Sequence, residues 1–184
     1  MENDVITAYI GLGSNEGFRA GNILLAVRGL MEAGLRVVRL SALYETEPIA
    51  VNNHEPYLNM VAEVEVKNIT PSQIMARMVR IEYLLGRRHK FLKAPRTIDL
   101  DLLIFGETRI DTDSLTIPHP RLHERKFVLV PMAELAPDLV HPVEKKTIQE
   151  LLETNEDDSR VERWSPDPNR KKDAEPAASN ATIN

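Results

Sequence analysis

The period of the apolar residues switches between about two and about 3.6 along this chain, and the switches mark out its elements. Residues 7–12 read as a short strand that runs into Gly11-Leu12-Gly13-Ser14-Asn15, whose glycines allow a tight exit and whose Ser14 or Asn15 can cap the next helix. Ile23, Ala26, Val27 and Leu30 then recur at helical spacing across residues 18–33, and Gly34 ends the pattern. Residues 35–43 alternate as a half-buried strand and continue into residues 44–50. A polar loop over 51–56 precedes a second strand, 57–66, so the two fit a hairpin-like pair with a loop free to fold over a ligand. Thr70-Pro71 opens a second helix by the cap-then-proline signal, and Ile74, Met78, Ile81 and Leu85 line one face until Gly86.

A basic loop, residues 87–93, leads into an extended run at residues 98–105. Beyond it come a turn at Gly106, a short edge strand at 109–111 and a stiff Pro-His-Pro segment at 118–120. Residues 127–135 read as an apolar helix that breaks or begins near Pro131, and residues 147–152 as one or two helical turns. From residue 153 the composition turns polar and proline-rich, with Trp164 the one large aromatic, which predicts a disordered tail over 153–184 after a single domain over 1–152. The order strand, helix, strand, strand, helix, strand is that of a split βαβ unit repeated once. It predicts an α+β fold of ferredoxin-like plan, with a mostly antiparallel sheet packed with helices.

Chemistry concentrates in the run Ala94-Pro95-Arg96-Thr97-Ile98-Asp99-Leu100-Asp101-Leu102-Leu103. Alternation on a strand puts Asp99 and Asp101 on one face, roughly 6.5–7 Å apart along the chain, with Ile98, Leu100 and Leu102 on the other. Like charges so placed repel, and a divalent cation relieves the repulsion. Mg²⁺ takes one or two carboxylates and completes its shell with water and substrate phosphate oxygens, so the pair suits metal-phosphate chemistry. The plainer alternative is a solvated strand face with Arg96 as ion-pair partner. The cations of the preceding loop favour the first reading, because a site for polyphosphate must neutralise it. By contrast, Gly11-Leu12-Gly13-Ser14-Asn15 lacks the third glycine of a dinucleotide fingerprint and the Gly-Lys-Ser/Thr of a phosphate loop, so it reads as turn and cap.

Composition narrows the field further. The 184 residues are 42% hydrophobic, enough for a proper core, and carry no cysteine, which excludes disulfides and cysteine-ligated metals. The net charge of −5 gives no global basic field for nucleic acid, and no apolar run approaches the roughly 18 residues of a membrane span. The expectation is a soluble, cytoplasmic protein.

The acidic run resembles the signature of the 6-hydroxymethyl-7,8-dihydropterin pyrophosphokinase family. Tyr9-Ile10-Gly11-Leu12-Gly13-Ser14-Asn15, Tyr44-Glu45-Thr46-Glu47-Pro48, Tyr57-Leu58-Asn59, Arg80-Ile81-Glu82 with Gly86-Arg87, and Pro118-His119 through Arg125 and Phe127 match in the family's order, over residues 5–143. The resemblance implies a three-layer αβα fold and transfer of pyrophosphate from ATP to the hydroxymethyl oxygen of a reduced pterin, releasing AMP in folate biosynthesis. It further implies two Mg²⁺ at Asp99 and Asp101, catalytic arginines at Arg87 and Arg96, ATP contacts at Glu82, Thr116, His119 and Arg125, and a pterin pocket from Thr46, Tyr57, Asn59 and Phe127. Partners would be ATP and the pterin, with neither nucleic acid nor membrane, and the protein a monomer. An aromatic pair and an amide suit a flat heterocycle on chemical grounds alone. The chain departs from the family form in two places. The loop between Arg87 and Arg96 is one residue shorter and has no tryptophan to close over the pterin, leaving Phe91 as the substitute, and Pro120 stands where an aromatic follows the histidine. The alternatives are another Mg-dependent phosphoryl-transfer enzyme using the same acidic face, and a non-catalytic ferredoxin-like binding module, in which the same-face acids and the arginine loop would have no purpose.

Overall fold

The computed structural model of the chain describes residues 5–46, 56–87 and 95–166. In chain order the elements are β1 (Val5–Ser14), α1 (Arg19–Glu32), β2 (Arg36–Leu40), β3 (Tyr44–Thr46), β4 (Tyr57–Lys67), α2 (Pro71–Leu84), β5 (Asp99–Phe105), β6 (Ile110–Thr112), β7 (Leu115–Ile117), α3 (Lys126–Leu135), α4 (Ile148–Glu153) and β8 (Val161–Arg163). Strands pair in the order β5-β1-β4-β3-β8, β2 pairs with β4, and β6 and β7 form a separate hairpin. Every pairing is antiparallel.

Both helices foreseen from the apolar spacing form, and each ends where a glycine takes a positive φ that other residues resist. After α2, Gly86 (φ 98) lets its own N–H reach the Tyr83 carbonyl (3.1 Å) and the Arg87 N–H reach the Glu82 carbonyl (3.0 Å), which is a Schellman stop. Thr70 and Gln73 make a reciprocal capping box at the other end. Ser14 and Asn15 do not cap α1. Phe18 occupies the N-cap and makes no side-chain cap bond, while Ser14 ends β1 and Asn15 bonds elsewhere.

Alternation along the sheet separates two cores. Ala8, Ile10, Leu12, Leu100 and Leu102 pack with Ile23 and Leu30 of α1 and Ile74 and Met78 of α2. Tyr9, Val61, Leu103 and Ile104 pack with Leu129 and Met132 of α3 and Ile148 and Leu151 of α4. With both faces covered, β4 is buried almost throughout, which is why only part of it alternates in sequence. Leu103 and Ile104 share a face because β5 bulges there. Tyr9 opposes Ile104 and Ile10 opposes Leu102, leaving Leu103 unpaired in the ladder.

Three expectations need correction. The strand foreseen from residue 35 onward is two strands, because β2 and β3 pair with different halves of β4 and the chain breaks between them at residues 41–43. The apolar helix continues through Pro131 instead of breaking or beginning there, since burial of Val128, Leu129, Met132 and Leu135 outweighs one missing hydrogen bond in mid-helix. The polar segment after residue 152 is not disordered as far as residue 166. β8 adds to the edge of β3, the Trp164 N–H bonds the Leu43 carbonyl at 2.8 Å, and the Trp164 ring packs on the larger core. Composition undervalued it because its bonds are to backbone, which carries no side-chain signal.

Candidate active site

Strand β5 brings Asp99 and Asp101 opposite Gly13 and Gly11 of β1, both half-buried and on the face away from Leu100 and Leu102. The two acids are treated differently. Asp99 is held through Oδ1 by Arg87 and through Oδ2 by Arg96. Arg87 also bonds Glu82, whose side chain is only 4% exposed and accepts the Leu100 N–H at 2.8 Å. Helix α2, the residue after its stop and strand β5 are thus tied by one charged chain. Among the described residues Asp101 has no such clamp, and burial followed by the charge of Asp99 raises its carboxyl above the usual range, with His119, Arg125 and Arg96 opposing the rise.

The bulge in β5 recruits His119. The carbonyl of the unpaired Leu103 accepts the His119 N–H at 2.8 Å, setting the imidazole beside Asp101. Nδ1 of His119 accepts the Arg121 N–H at 3.2 Å. Burial, with help from Arg125 and Arg121 and against Asp101, lowers its pKa, so the ring is neutral at neutral pH and its proton sits on Nε2. Arg125 precedes α3 and its guanidinium lies 5.5 Å from the centre of the Phe127 ring, a cation–π contact. Burial and Arg121 lower its pKa while Asp101 and Asp99 oppose that, so its charge faces the acids.

Strands β3 and β4 supply the remaining wall. Thr46 opposes Tyr57, Tyr44 opposes Asn59, and the Asn59 amide donates to Thr46 Oγ1 at 2.9 Å, both side chains being buried. A Cβ on Gly13 would come within 3.2 Å of Asn59 Oδ1 and 3.9 Å of the Tyr57 ring, so the glycine gives this wall its room. Tyr57 feels Arg96, Asp99 and Arg87, although burial is the main reason its phenol pKa is raised. For Arg96, burial alone would lower the guanidinium, but Asp99 more than offsets it and holds the group above its ordinary value.

Eleven of the twelve residues singled out in the sequence therefore join one constellation. Thr116 stands apart, its hydroxyl turned to Asp111 across the β6–β7 hairpin at 3.4 Å. Glu82 faces inward to Arg87 and the strand. Arg88, Lys90 and Phe91, and most of the loop between β3 and β4, lie outside the described residues. Two further residues carried no sequence signal for their roles. Asn15 accepts the Arg96 N–H at 2.6 Å and donates its own N–H to the Arg96 carbonyl at 3.0 Å, fixing that backbone. Arg19, 5% exposed, bonds the Pro56 carbonyl at 2.6 Å and pairs with Glu45 at 2.9 Å, bridging the residues next to Thr46 and Tyr57. Among the described residues no group of three or more His, Asp or Glu side chains is placed to hold a metal ion.

Residues 9–137 match the model of the 7,8-dihydro-6-hydroxymethylpterin-pyrophosphokinase family. A 2-amino-4-hydroxy-6-hydroxymethyldihydropteridine pyrophosphokinase of Bacillus subtilis is 38% identical over 84% of this chain and 89% of its own length. The protein of that name from Aquifex aeolicus is 34% identical over 81% of this chain and 92% of its own. The folic acid synthesis protein fol1 of Pneumocystis carinii is 39% identical over 83% of this chain, and this chain spans about a fifth of that protein's length (20%). Among solved structures, wild-type HPPK-DHPS of Plasmodium falciparum bound to pteroate superposes with a TM-score of 0.66 at 18% identity, over 83% of this chain and 43% of that one, a likeness of fold.

Proposed function

The chain belongs to the 7,8-dihydro-6-hydroxymethylpterin-pyrophosphokinase family, and on that premise we propose that it moves pyrophosphate from ATP to 6-hydroxymethyl-7,8-dihydropterin, releasing AMP. The observation that carries this reading is two carboxylates on one strand face, ringed by Arg87, Arg96, Arg125 and His119, with Tyr57 in the same electrostatic neighbourhood. Asp99 and Asp101 offer the hard oxygen donors that Mg²⁺ prefers, and we assign them two ions. Held there, they would supply positive charge to offset that of the transferring phosphates.

The remaining work falls to the chain's own groups. The pterin hydroxyl oxygen attacks the β-phosphorus in line, the bond from that phosphorus to the α–β bridging oxygen breaks, AMP leaves with that oxygen and the hydroxyl proton passes to solvent. Arg87 and Arg96 present guanidinium forks that can hold phosphate oxygens through the transfer. Arg125, with its charge toward the acids, and the Nε2–H of His119 are assigned to the ATP phosphates and ribose. Thr116 we assign to the nucleoside side. Thr46, Tyr57, Asn59 and Phe127 are assigned to the pterin, where ring faces and a buried amide match its shape and donor pattern. Positioning dominates such chemistry, so fixed side chains matter more than an acid or base.

The fold is read as ferredoxin-like and three-layered. The sequence β1-α1-β2, β4-α2-β5 and the neighbour order β5-β1-β4-β2 support the first description, and cores on both faces of the sheet support the second. Because one chain supplies every assigned residue, we propose a monomer. No helix of the described residues is long and apolar enough to cross a membrane, and we place the protein in the cytoplasm with its substrates. Incubation with ATP, Mg²⁺ and the hydroxymethyl pterin tests the proposal. AMP and the pterin diphosphate are the expected products, and ATP left intact by folded protein defeats it.

A further inference from the structure

Helix α3 begins with an unmet need. Its N-cap is Arg125, whose side chain makes no cap hydrogen bond and, as a guanidinium, has no acceptor to offer. The acceptor comes from 31 residues later in the chain, where Asp157 Oδ2 takes the Lys126 N–H at 2.9 Å. The other oxygen, Oδ1, takes the Ser159 N–H at 2.9 Å, and the Asp157 N–H bonds Asn155 Oδ1 at 3.0 Å. Asn155 in turn donates from Nδ2 to the His123 carbonyl at 3.0 Å. Arg125 is therefore bracketed, with His123 tied on one side and Lys126 on the other.

The same short segment then runs into β8, which pairs with β3 and sets Val161 opposite Thr46, while the Trp164 N–H bonds the Leu43 carbonyl. One end touches the start of α3, where Arg125 and Phe127 stand, and the other touches the strand that carries Thr46. All of it lies beyond residue 137, where the family match ends.

We propose that residues 155–164 form a strap across the two walls of the site, and that Asp157 is a positioning residue that fixes Arg125 for ATP by capping α3 from a distance. This rests on the assignment of Arg125 to ATP made above. The test uses the full chain with Asp157→Ala, Asp157→Asn and Asn155→Ala, reading steady-state constants for each substrate, the melting temperature and amide hydrogen exchange at residues 126–129.

Loss of an N-cap acceptor should speed exchange at those amides about tenfold and raise the KM for ATP about three- to tenfold, with kcat and the pterin KM within about twofold. Asp157→Asn keeps one of the two acceptor oxygens and should recover part of the loss, and Asn155→Ala should move the same quantities by less. Should Asp157→Ala melt without folding, the two milder variants carry the test by themselves. Unchanged exchange at 126–129 and an unchanged ATP KM overturn the strap, as does an equal rise in both KM values, which would signal general loosening. A parent chain that makes no AMP overturns the pyrophosphokinase reading instead, and the exchange experiment still decides the cap.

Discussion

Replacing Glu82 tests whether the charged chain across α2 and β5 is what holds the site together. Its side chain is only 4% exposed and serves two donors through one oxygen, the Arg87 guanidinium and the Leu100 N–H at 2.8 Å. Removing one partner of a buried ion pair costs about 3–5 kcal/mol, and a buried N–H left without an acceptor costs about 1–3 kcal/mol. Arg87 keeps Asp99, so Glu82→Ala should fall at the lower end, about 3 kcal/mol. For a chain of this size each kcal/mol moves the melting temperature by about 2–4 °C, giving a loss of about 6–12 °C. Glu82→Gln retains an acceptor but not the charge, and should lose about 1 kcal/mol, or about 2–4 °C. Both should lower kcat by tenfold or more, because a guanidinium displaced by about an ångström no longer matches the transferring group. Thermal unfolding with and without nucleotide, set beside rates of AMP release, reads both effects. If Glu82→Ala melts within about 2 °C of the parent and keeps its kcat while only the ATP KM rises, Glu82 is a nucleotide contact and the reasoning fails.

Three further outcomes are expected. Asp101→Asn should abolish turnover by several orders of magnitude yet leave the metal-free chain as stable or more so at neutral pH. The folded state holds the Asp101 proton more tightly than the unfolded state does, so stability falls as pH rises from the unfolded carboxyl pKa through the raised folded one. The advantage of Asn over Asp should therefore vanish below about pH 4 in a pH series of melts, and a lower melting temperature at neutral pH contradicts the sign. Arg96→Ala should reduce kcat more than it weakens ATP binding, and calorimetry with kinetics giving the reverse order would make Arg96 a binding residue only. Gly13→Ala puts a methyl 3.2 Å from Asn59 Oδ1, so the pterin KM should rise severalfold with the ATP KM unmoved, and an unmoved pterin KM removes Asn59 from the pocket.

What the sequence disclosed about the fold was whatever has a period or a punctuation mark. Helices α1 and α2, closed by Gly34 and Gly86, stand where the apolar spacing put them, and Thr70-Pro71 opens the second, because burial of one face and, in α2, satisfaction of terminal N–H groups are written in side chains. Asp99 and Asp101 were visible for the same reason, two polar residues on an otherwise apolar strand. Asn15, Arg19 and Asp157 were not. Each acts on backbone groups distant in sequence, the Arg96 amide, the Pro56 carbonyl and the Lys126 amide, and any residue would present the same group there. The break between β2 and β3 was hidden in a similar way, since residues 35–46 keep an alternating pattern while the strand they pair with passes from one partner to the other.

The unequal treatment of the two acids follows from where β5 bulges. With Leu103 out of the ladder, its carbonyl is free to accept the His119 N–H, and the segment after β7 is drawn in beside Asp101. Asp99, nearer the start of the strand, is instead within reach of the arginines that enter from the end of α2 and from the loop pinned by Asn15. An acid held by two guanidinium groups is a fixed point, and one held by none among the described residues, its carboxyl raised above the usual range, is the member of the pair that stands to gain most when a cation arrives. Removing Leu103 takes away the carbonyl that accepts the His119 N–H. Restoring regular register by deleting Leu103 should therefore cost turnover through His119 as well as through the strand.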